Sequence, residues 1–316
     1  MFAVLTTSWP LLLGVMLLMV GNGMQGSLLG IRGAIEGFST FELSLVMSAY
    51  FLGFLGGSRM TPDLIRRVGH VRVFAALASL ISASLVIYPV LPNWFAWTLL
   101  RVCIGFSFSG VYVTAESWLN NQSTNETRGQ TLSFYMIVQM LGIIMSQALL
   151  NVADPSDFTL FVIPSVLVSL AFIPILLTAS TAPVFESAKS MKFKELFIAS
   201  PLGCVGMFVT GGIFSALFGM ASVWGTEAGF SVRDISIFIA SIYVGGLLMQ
   251  YPIGRASDRM DRRIMVTALA LLGFFIAFVV FVFKVPFFGF LAVGFLLGGI
   301  TNPLYSLLIA HTNDFL

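Results

Sequence analysis

The sequence predicts an all-α membrane protein with ten transmembrane helices, and three observations carry that prediction. Apolar residues make up 58% of the chain and charged residues only 9%. With a mean hydropathy of +0.97, a water-soluble domain would expose more apolar surface than water tolerates. Secondly, the apolar residues fall into ten runs of about 18 to 27 residues, each long enough to cross ~30 Å of hydrocarbon as a helix. Thirdly, residues 37–72 align without a gap on residues 229–264. Gly37-Phe38-Ser39 falls on Gly229-Phe230-Ser231, Glu42 on Asp234, Ser44 on Ser236, Gly53 on Gly245 and Arg66-Arg67 on Asp258-Arg259. Each copy is a polar entry, an apolar crossing and an arginine-rich turn. Parallel repeats of this kind tend to place a substrate path between the halves of a membrane protein.

The first crossing, 10–30, has no basic leading region, and its apolar run is too long for a cleaved signal, so it is expected to enter the membrane as a helix in its own right. Gly21, Gly23, Gly26 and Gly30 surround Asn22 and Gln25 in it, easing bending and close approach. The second, 41–59, opens on a Ser39-x-x-Glu42 capping box, and Gly53 and Gly57 give it a packing face, as Gly26 and Gly30 give the first. The third (73–90) and fourth (94–118) follow, the fourth carrying Arg101 inside its apolar run. Gln139 and Gln147 punctuate the fifth (131–152), and the sixth spans 158–179.

The widest polar interval, 181–195, holds Pro183, Glu186, Lys189, Lys192 and Lys194, and reads as a linker between an N-terminal six-helix bundle (1–180) and a four-helix, incomplete C-terminal bundle (196–316). Beyond it lie the seventh run (197–223), the eighth (235–254, opening on Ser231-x-x-Asp234), the ninth (264–283) and the tenth (286–310). Gly294 and Gly298 form a packing face in the tenth, and Pro303, beside Asn302, is expected to kink it.

Basic residues concentrate in one alternate set of loops: Arg59, Arg66, Arg67 and Arg72; Arg128; Lys189, Lys192 and Lys194; Arg255, Arg259, Arg262 and Arg263. The opposite set holds Arg32, Arg233 and Lys284. The positive-inside rule puts the first set, and with it both termini, in the cytoplasm. A multi-pass protein of the cell inner membrane, embedded in a lipid bilayer, is the expectation.

Several function classes drop out. No basic footprint for nucleic acid exists, and Cys103 and Cys204 lie singly in apolar runs where they read as packing residues. No nucleophile–base pair, phosphate loop or metal cluster argues for an enzyme, a cofactor or a metal.

Arg101 is the sharpest single residue. A guanidinium in hydrocarbon costs ~2.5–3.5 kcal/mol even on the insertion scale, so its side chain must face the protein interior. Gly105, Ser109, Tyr112 and Glu116 follow on the same helical face, forming a predicted polar stripe. No acid sits at mid-depth in any run, which leaves an anionic substrate, or else helix carbonyls and water, to answer the charge. Asn22, Gln25, Tyr50, Arg101, Gln139, Tyr243 and Asn302 are the candidate substrate cavity and suit a small polar or anionic solute; buried amides also commonly serve to join helices, as Gln147 and Gln250 could. Glu116, near the interface, reads first as a loop-bracing acid and second as a proton carrier. His311 reads as a cap at the end of the tenth run.

The charged turns add a resemblance. Gly254-Arg-Ala-Ser-Asp258-Arg259-Met-Asp-Arg262-Arg263 resembles the loop signature of the major facilitator superfamily, with Asp261 in place of its usual second glycine. Pro62-Asp-Leu-Ile-Arg66-Arg67-Val-Gly69-His70 is a degenerate copy with Arg66 where the acid belongs. Arg101-x-x-x-Gly105 matches the family's fourth-helix pattern, whereas Gly142-Ile-Ile-Met-Ser146-Gln147 replaces the glycine-proline pattern of proton antiport, which weakens that mode. Gly21-Asn22-Gly23, Ala115-Glu116-Ser117-Trp118-Leu119-Asn120 and Ala310-His311-Thr312-Asn313-Asp314 are most similar to the YcaD-like branch.

The resemblance implies a carrier working by alternating access on a small-molecule substrate, with proton coupling left open and no oligomeric state indicated. It further implies a cytoplasmic gate of Gly254, Asp258, Arg259, Arg262, Arg263, Arg66, Arg67, Gly69, Glu116 and Arg128, with Asp258 meeting the start of the fifth helix near Gly129-Gln130. The family has twelve crossings, against ten here. A second reading, a non-transporting membrane scaffold or assembly factor with the same fold, draws on the ten-helix length and the degenerate first loop.

Overall fold

The computed structural model describes residues 2–122, 128–177, 193–257, 259–283 and 285–315, and among them every regular element is a helix. In chain order these are α1 (Phe2–Ile35), α2 (Thr40–Val68), α3 (His70–Val90), α4 (Trp94–Gln122), α5 (Arg128–Leu149), α6 (Thr159–Ala171), α7 (Ile173–Leu176), α8 (Phe193–Ala199), α9 (Pro201–Phe214), α10 (Ala221–Glu227), α11 (Val232–Ser257), α12 (Arg262–Val282) and α13 (Phe287–Asn313). Nine segments among the described residues have the length and apolarity of a membrane span, and Ser133–Leu149 of α5 is a shorter apolar helix. Together they account for the ten runs. The sixth run is broken after Ala171, ahead of Pro174. The seventh is broken by a π-helical turn at Ser215–Gly219, between α9 and α10. Most of the 181–195 linker lies outside the described residues; its last three residues open α8.

Contacts divide the chain into two compact units, Met1–Ser187 with Ser222–Arg233 and Ala188–Ala221 with Asp234–Leu316. In the first unit, α2 and α4 meet backbone to backbone. A Cβ added to Gly53 would stand 2.0 Å from the Val102 carbonyl oxygen, one on Gly57 2.3 Å from that of Phe106, and one on Gly105 1.9 Å from that of Tyr50. Only glycine allows that approach, the way small residues bring helices together in lipid. The second unit repeats the seam between α11 and α13: a Cβ on Gly245 would meet the Phe295 oxygen at 1.8 Å, and one on Gly298 the Ile242 oxygen at 1.9 Å. Gly245 and Ile242 follow Gly53 and Tyr50 at the spacing of the sequence repeat, and Gly298 and Phe295 follow Gly105 and Val102 at one residue more. The duplication therefore extends past the aligned stretch into the next helix but one.

The turns are duplicated too. Gly37 and Gly229 both have φ of 79°. In each, the glycine amide donates three residues back and the following phenylalanine amide five back, Gly37 to Ala34 (3.1 Å) and Phe38 to Gly33 (2.9 Å), then Gly229 to Thr226 (3.0 Å) and Phe230 to Gly225 (2.9 Å). This is a Schellman helix stop, which needs the left-handed backbone that glycine supplies without strain. The Ser39–Glu42 capping box forms as expected at the start of α2.

The first unit's core is aromatic at one end, where Trp97 packs edge-on to Tyr88 and donates its indole N–H to the Tyr88 carbonyl, 3.1 Å away. Ser82 of α3 reaches Ser165 and Ser169 of α6, each at 2.8 Å. In the second unit Val266, Leu269, Ile300, Leu304, Leu307 and Leu308 form the core. The outer face of α12, with Phe274, Phe275, Phe278 and Phe281 exposed, has the composition of a lipid-facing surface.

One expectation fails at the charged turns. Arg66 and Arg67 belong to the last turn of α2, which runs past its apolar stretch through Pro62, and Arg255 belongs to α11, which ends at Ser257. Gly26 also departs from its reading as a packing glycine: no atom comes within 4 Å of its Cβ position, whereas Gly30 sits against Ser222.

Candidate functional site

Arg101 lies on the second turn of α4 and is 5% exposed. Its guanidinium carbon stands 4.9 Å above the centre of the Tyr50 ring, and its Nη2 lies 3.6 Å from the Met47 sulfur. Both partners come from α2, which the glycine seam holds against α4. Its Nε has no hydrogen-bond partner among the described residues, and no carboxylate there lies within ion-pair distance of it. A desolvated cation over a ring is worth ~2 kcal/mol or more, comparable to the insertion cost of the arginine.

Asn22 of α1 joins this group. Its amide donates to the Tyr112 hydroxyl at 3.4 Å and stands in hydrogen-bonding reach of Tyr50, while Tyr112 donates to the Met19 sulfur at 3.2 Å. Tyr112 also packs on Phe54, 6.0 Å between ring centres. Three helices thus bring Asn22, Tyr50, Arg101 and Tyr112 into one polar, aromatic-walled group. Gln25, one turn from Asn22, is fully buried, and neither of its amide atoms has a partner among the described residues. A buried polar group left unmatched costs ~1–3 kcal/mol, so such a side chain calls for a ligand, a water or a conformational change.

The polar stripe of α4 is not the continuous lining that its spacing suggests. Gly105 faces the Tyr50 backbone, and Ser109 is 1% exposed with its Cβ 2.9 Å from where a Gly57 Cβ would sit. Those two positions belong to the α2–α4 seam because the close approach demanded by Gly53 and Gly57 brings α2 over them. Arg101 and Tyr112 remain with the polar group, and Glu116 is exposed.

Each of the other candidates has its own surroundings within its unit. Gln139 is half-buried on α5. Gln147 joins helices: its Oε1 accepts from Ser27 (3.0 Å) and its Nε2 donates to the Gly23 carbonyl (3.3 Å). In the second unit Tyr243 lies 4.8 Å from the Phe218 ring, beside the π-helical turn. Asn302 turns back on its own helix, donating to the Gly298 carbonyl at 3.2 Å and lying over Gly246. Gln250 donates to Ser306 at 2.8 Å, tying α11 to α13.

Of the gate residues, Asp258 and its expected meeting with the fifth helix lie outside the described residues, and Arg128 opens α5. Arg66 pairs with Asp63 one turn earlier, Arg67 and Arg259 are exposed, and Gly69 turns the chain between α2 and α3 with φ of 85°. Arg262, at the start of α12, pairs with Asp314 just past α13. The hydrogen bonds from Arg262 hold the Asp314 carboxyl below its ordinary range. Arg263 stands over the Phe315 ring, 5.7 Å from its centre. These residues line a cleft of about 560 Å³ together with Ser257, Met260, Asp261 and His311.

Sequence reasoning missed Met47, Met19 and Asp314 as partners. The two methionines carry no sequence signal of a role, since thioethers fill any apolar helix. Asp314 was visible as an acid just beyond a span, but its opposite number, Arg262, is 52 residues away.

Compared with known proteins, residues 11–314 match the Major Facilitator Superfamily family profile. The protein named "Uncharacterized MFS-type transporter YcaD" of Escherichia fergusonii is 25% identical over 254 residues, which are 80% of this chain and 66% of the relative. The chain thus spans just under two thirds of that relative's length. Among solved structures, the nucleoside transporter NupG superposes with a TM-score of 0.76 at 13% identity, covering 95% of this chain and 80% of that one. A bacterial homolog of the human lysosomal transporter Spinster, inward-facing and unoccupied, gives 0.73 at 14%, covering 94% and 74%. With nearly its whole length matched to the family profile, and its helices arranged as in solved transporters, this chain belongs to the major facilitator superfamily.

Proposed function

We propose that the protein works as a secondary carrier that moves a small polar or anionic solute across the cell inner membrane by alternating access, both termini lying in the cytoplasm. In this reading its six N-terminal crossings form one bundle and the four after the 181–195 linker belong to the other. The observation that carries the proposal is the group around Arg101, a buried cation answered by an aromatic face and a thioether, with Nε open and no acid beside it among the described residues. A purely structural arginine in lipid is normally neutralised by an acid or by carbonyls; one left open suits an anionic or strongly hydrogen-bonding substrate. Asn22 and Gln25 supply amide donors and acceptors beside it, and Tyr50 and Tyr112 supply ring faces. Gln139, Tyr243 and Asn302 complete the proposed cavity.

The arginine-rich helix ends, Arg66, Arg67, Gly69, Arg128 and Glu116 in one half and Gly254, Asp258, Arg259, Arg262 and Arg263 in the other, act in this reading as the cytoplasmic gate. An acid placed at a helix N-terminus gains ~0.3–1 kcal/mol when exposed, a strength suited to a latch that must open. The test is ligand-induced thermal stabilisation of purified protein across small organic anions and neutral sugars, followed by uptake of any hit into proteoliposomes. At least one compound should raise the melting temperature of the wild type and not of Arg101→Gln. A compound that stabilises and is transported equally by both proteins refutes the assigned role of Arg101.

A further inference from the structure

The cleft at the arginine-rich end of the second unit is not explained by solute passage. It measures about 560 Å³, within the range of small-molecule sites. Ser257 and Arg262 also line a second space of about 200 Å³, together with Pro303, Leu307 and Ala310. The larger space is mostly polar and the smaller one mostly apolar.

Among the described residues four arginines, Arg255, Arg259, Arg262 and Arg263, stand at this end with two acids, Asp261 and Asp314. Both acids are already engaged: Asp314 holds Arg262, and the Asp261 carboxylate caps α12 by accepting from the Arg263 amide at 2.8 Å. The Arg263 guanidinium stands over the Phe315 ring and forms no ion pair among the described residues. His311 is 5% exposed, lines the same cleft, touches the Phe315 ring edge-on, and makes no hydrogen bond among the described residues. A buried imidazole and an arginine without a carboxylate partner among the described residues converge there, a combination that suits a phosphate oxygen.

The surroundings indicate which phosphate. Met260 and Phe315, which line the cleft, are exposed, as are Ile264 and the phenylalanines farther along α12. An apolar helix face below a cluster of arginines is the arrangement found where a span leaves the hydrocarbon at headgroup level. We infer that this cleft binds the phosphodiester headgroup of an anionic phospholipid, with Arg263 and His311 on the phosphate and the neighbouring space beside Pro303, Leu307 and Ala310 receiving the apolar part next to it.

The test is native mass spectrometry of the full chain, delipidated in detergent and titrated with phosphatidylglycerol, phosphatidylethanolamine or inorganic phosphate, with helicity checked for every variant. The wild type should retain phosphatidylglycerol in preference to both others, and Arg263→Gln should weaken it about fivefold, the worth of one arginine near a lipid surface. His311→Gln should weaken it as well, whereas Arg72→Gln, which alters the other unit, should leave it unchanged. Equal retention of phosphatidylethanolamine overturns the choice of an anionic headgroup, and equal binding of inorganic phosphate overturns a lipid source. An Arg72→Gln loss as large as that of Arg263→Gln overturns the site in favour of diffuse attraction. If Arg263→Gln loses helicity, His311→Gln decides by the same criteria, and the wild-type lipid preference stands as its own test.

Discussion

Replacing Gly105 with alanine tests the α2–α4 seam on which the position of Arg101 depends. The added Cβ would fall 1.9 Å from the Tyr50 carbonyl oxygen, where real contacts do not go below 3.0 Å, so the helices must part by about 1.1 Å. The obstacle is backbone on both sides, and no side-chain rotation can relieve it. Overpacking of this kind costs ~1–3 kcal/mol, and at ~2–4 °C per kcal/mol the melting temperature in detergent should fall by roughly 2–12 °C. The matched control is Gly56→Ala, on α2 across the same seam, where the nearest atom is the Phe106 Cδ2 at 3.6 Å. That change only raises helix propensity and should be neutral or stabilising, by up to ~1 kcal/mol. Gly298→Ala, 1.9 Å from the Ile242 oxygen, should mirror the loss in the second unit, with Gly273→Ala as its control. The assay is thermal unfolding followed by circular dichroism. If Gly105→Ala melts within 1 °C of Gly56→Ala, the seam is not a backbone contact, and the argument placing Tyr50 and Met47 on Arg101 fails with it.

The remaining expectations are narrower. Gly37→Ala and Gly229→Ala meet no atom within 4 Å, so their cost is the left-handed backbone alone, ~1–2 kcal/mol each and equal within error; urea unfolding would show a difference if one turn were not a true copy. Gln147→Leu should lose ~0.6 kcal/mol, and at most ~1.7, by removing the ties from α5 to Ser27 and Gly23, read as the same unfolding shift. The Asp314 carboxyl is lowered in the folded protein, so its contribution to stability is complete above the unfolded value of about 3.9 and disappears as pH falls through the lowered folded value. Asp314→Asn should accordingly melt below the wild type at pH 7, with the gap closing in strongly acidic buffer; a gap that persists there would assign the effect to packing.

Membrane segments were legible because bilayer thickness sets a length that any apolar run must meet, and the glycines of α2 and α13 announced close packing through their spacing. What spacing could not reveal was which neighbour a face would meet. Gly105 and Ser109 share a helical face with Arg101, yet they are taken up by α2, since glycines in a different helix decide that contact. Gly26 fits the same pattern as Gly30 and packs on nothing. The housing of Arg101 escaped notice because a thioether and a ring face are common in any apolar helix, and only three-dimensional placement makes them partners of a charge. The end of α2 was set short because proline and arginine signal a loop in sequence, whereas a helix emerging from lipid continues as long as its own hydrogen bonds hold.

Arg101 also has an electrical consequence. Its guanidinium keeps its proton at any physiological pH, and no carboxylate among the described residues accompanies it into the span. Any displacement of α4 along the bilayer normal therefore transports uncompensated positive charge through the potential difference across the membrane. A full traverse is worth ~2.3 kcal/mol per 100 mV, so a shift through a tenth of the field is worth ~0.2 kcal/mol, enough to alter a conformational ratio about 1.5-fold. The energised state of the cell would bias the resting conformation of this protein even before any solute arrives.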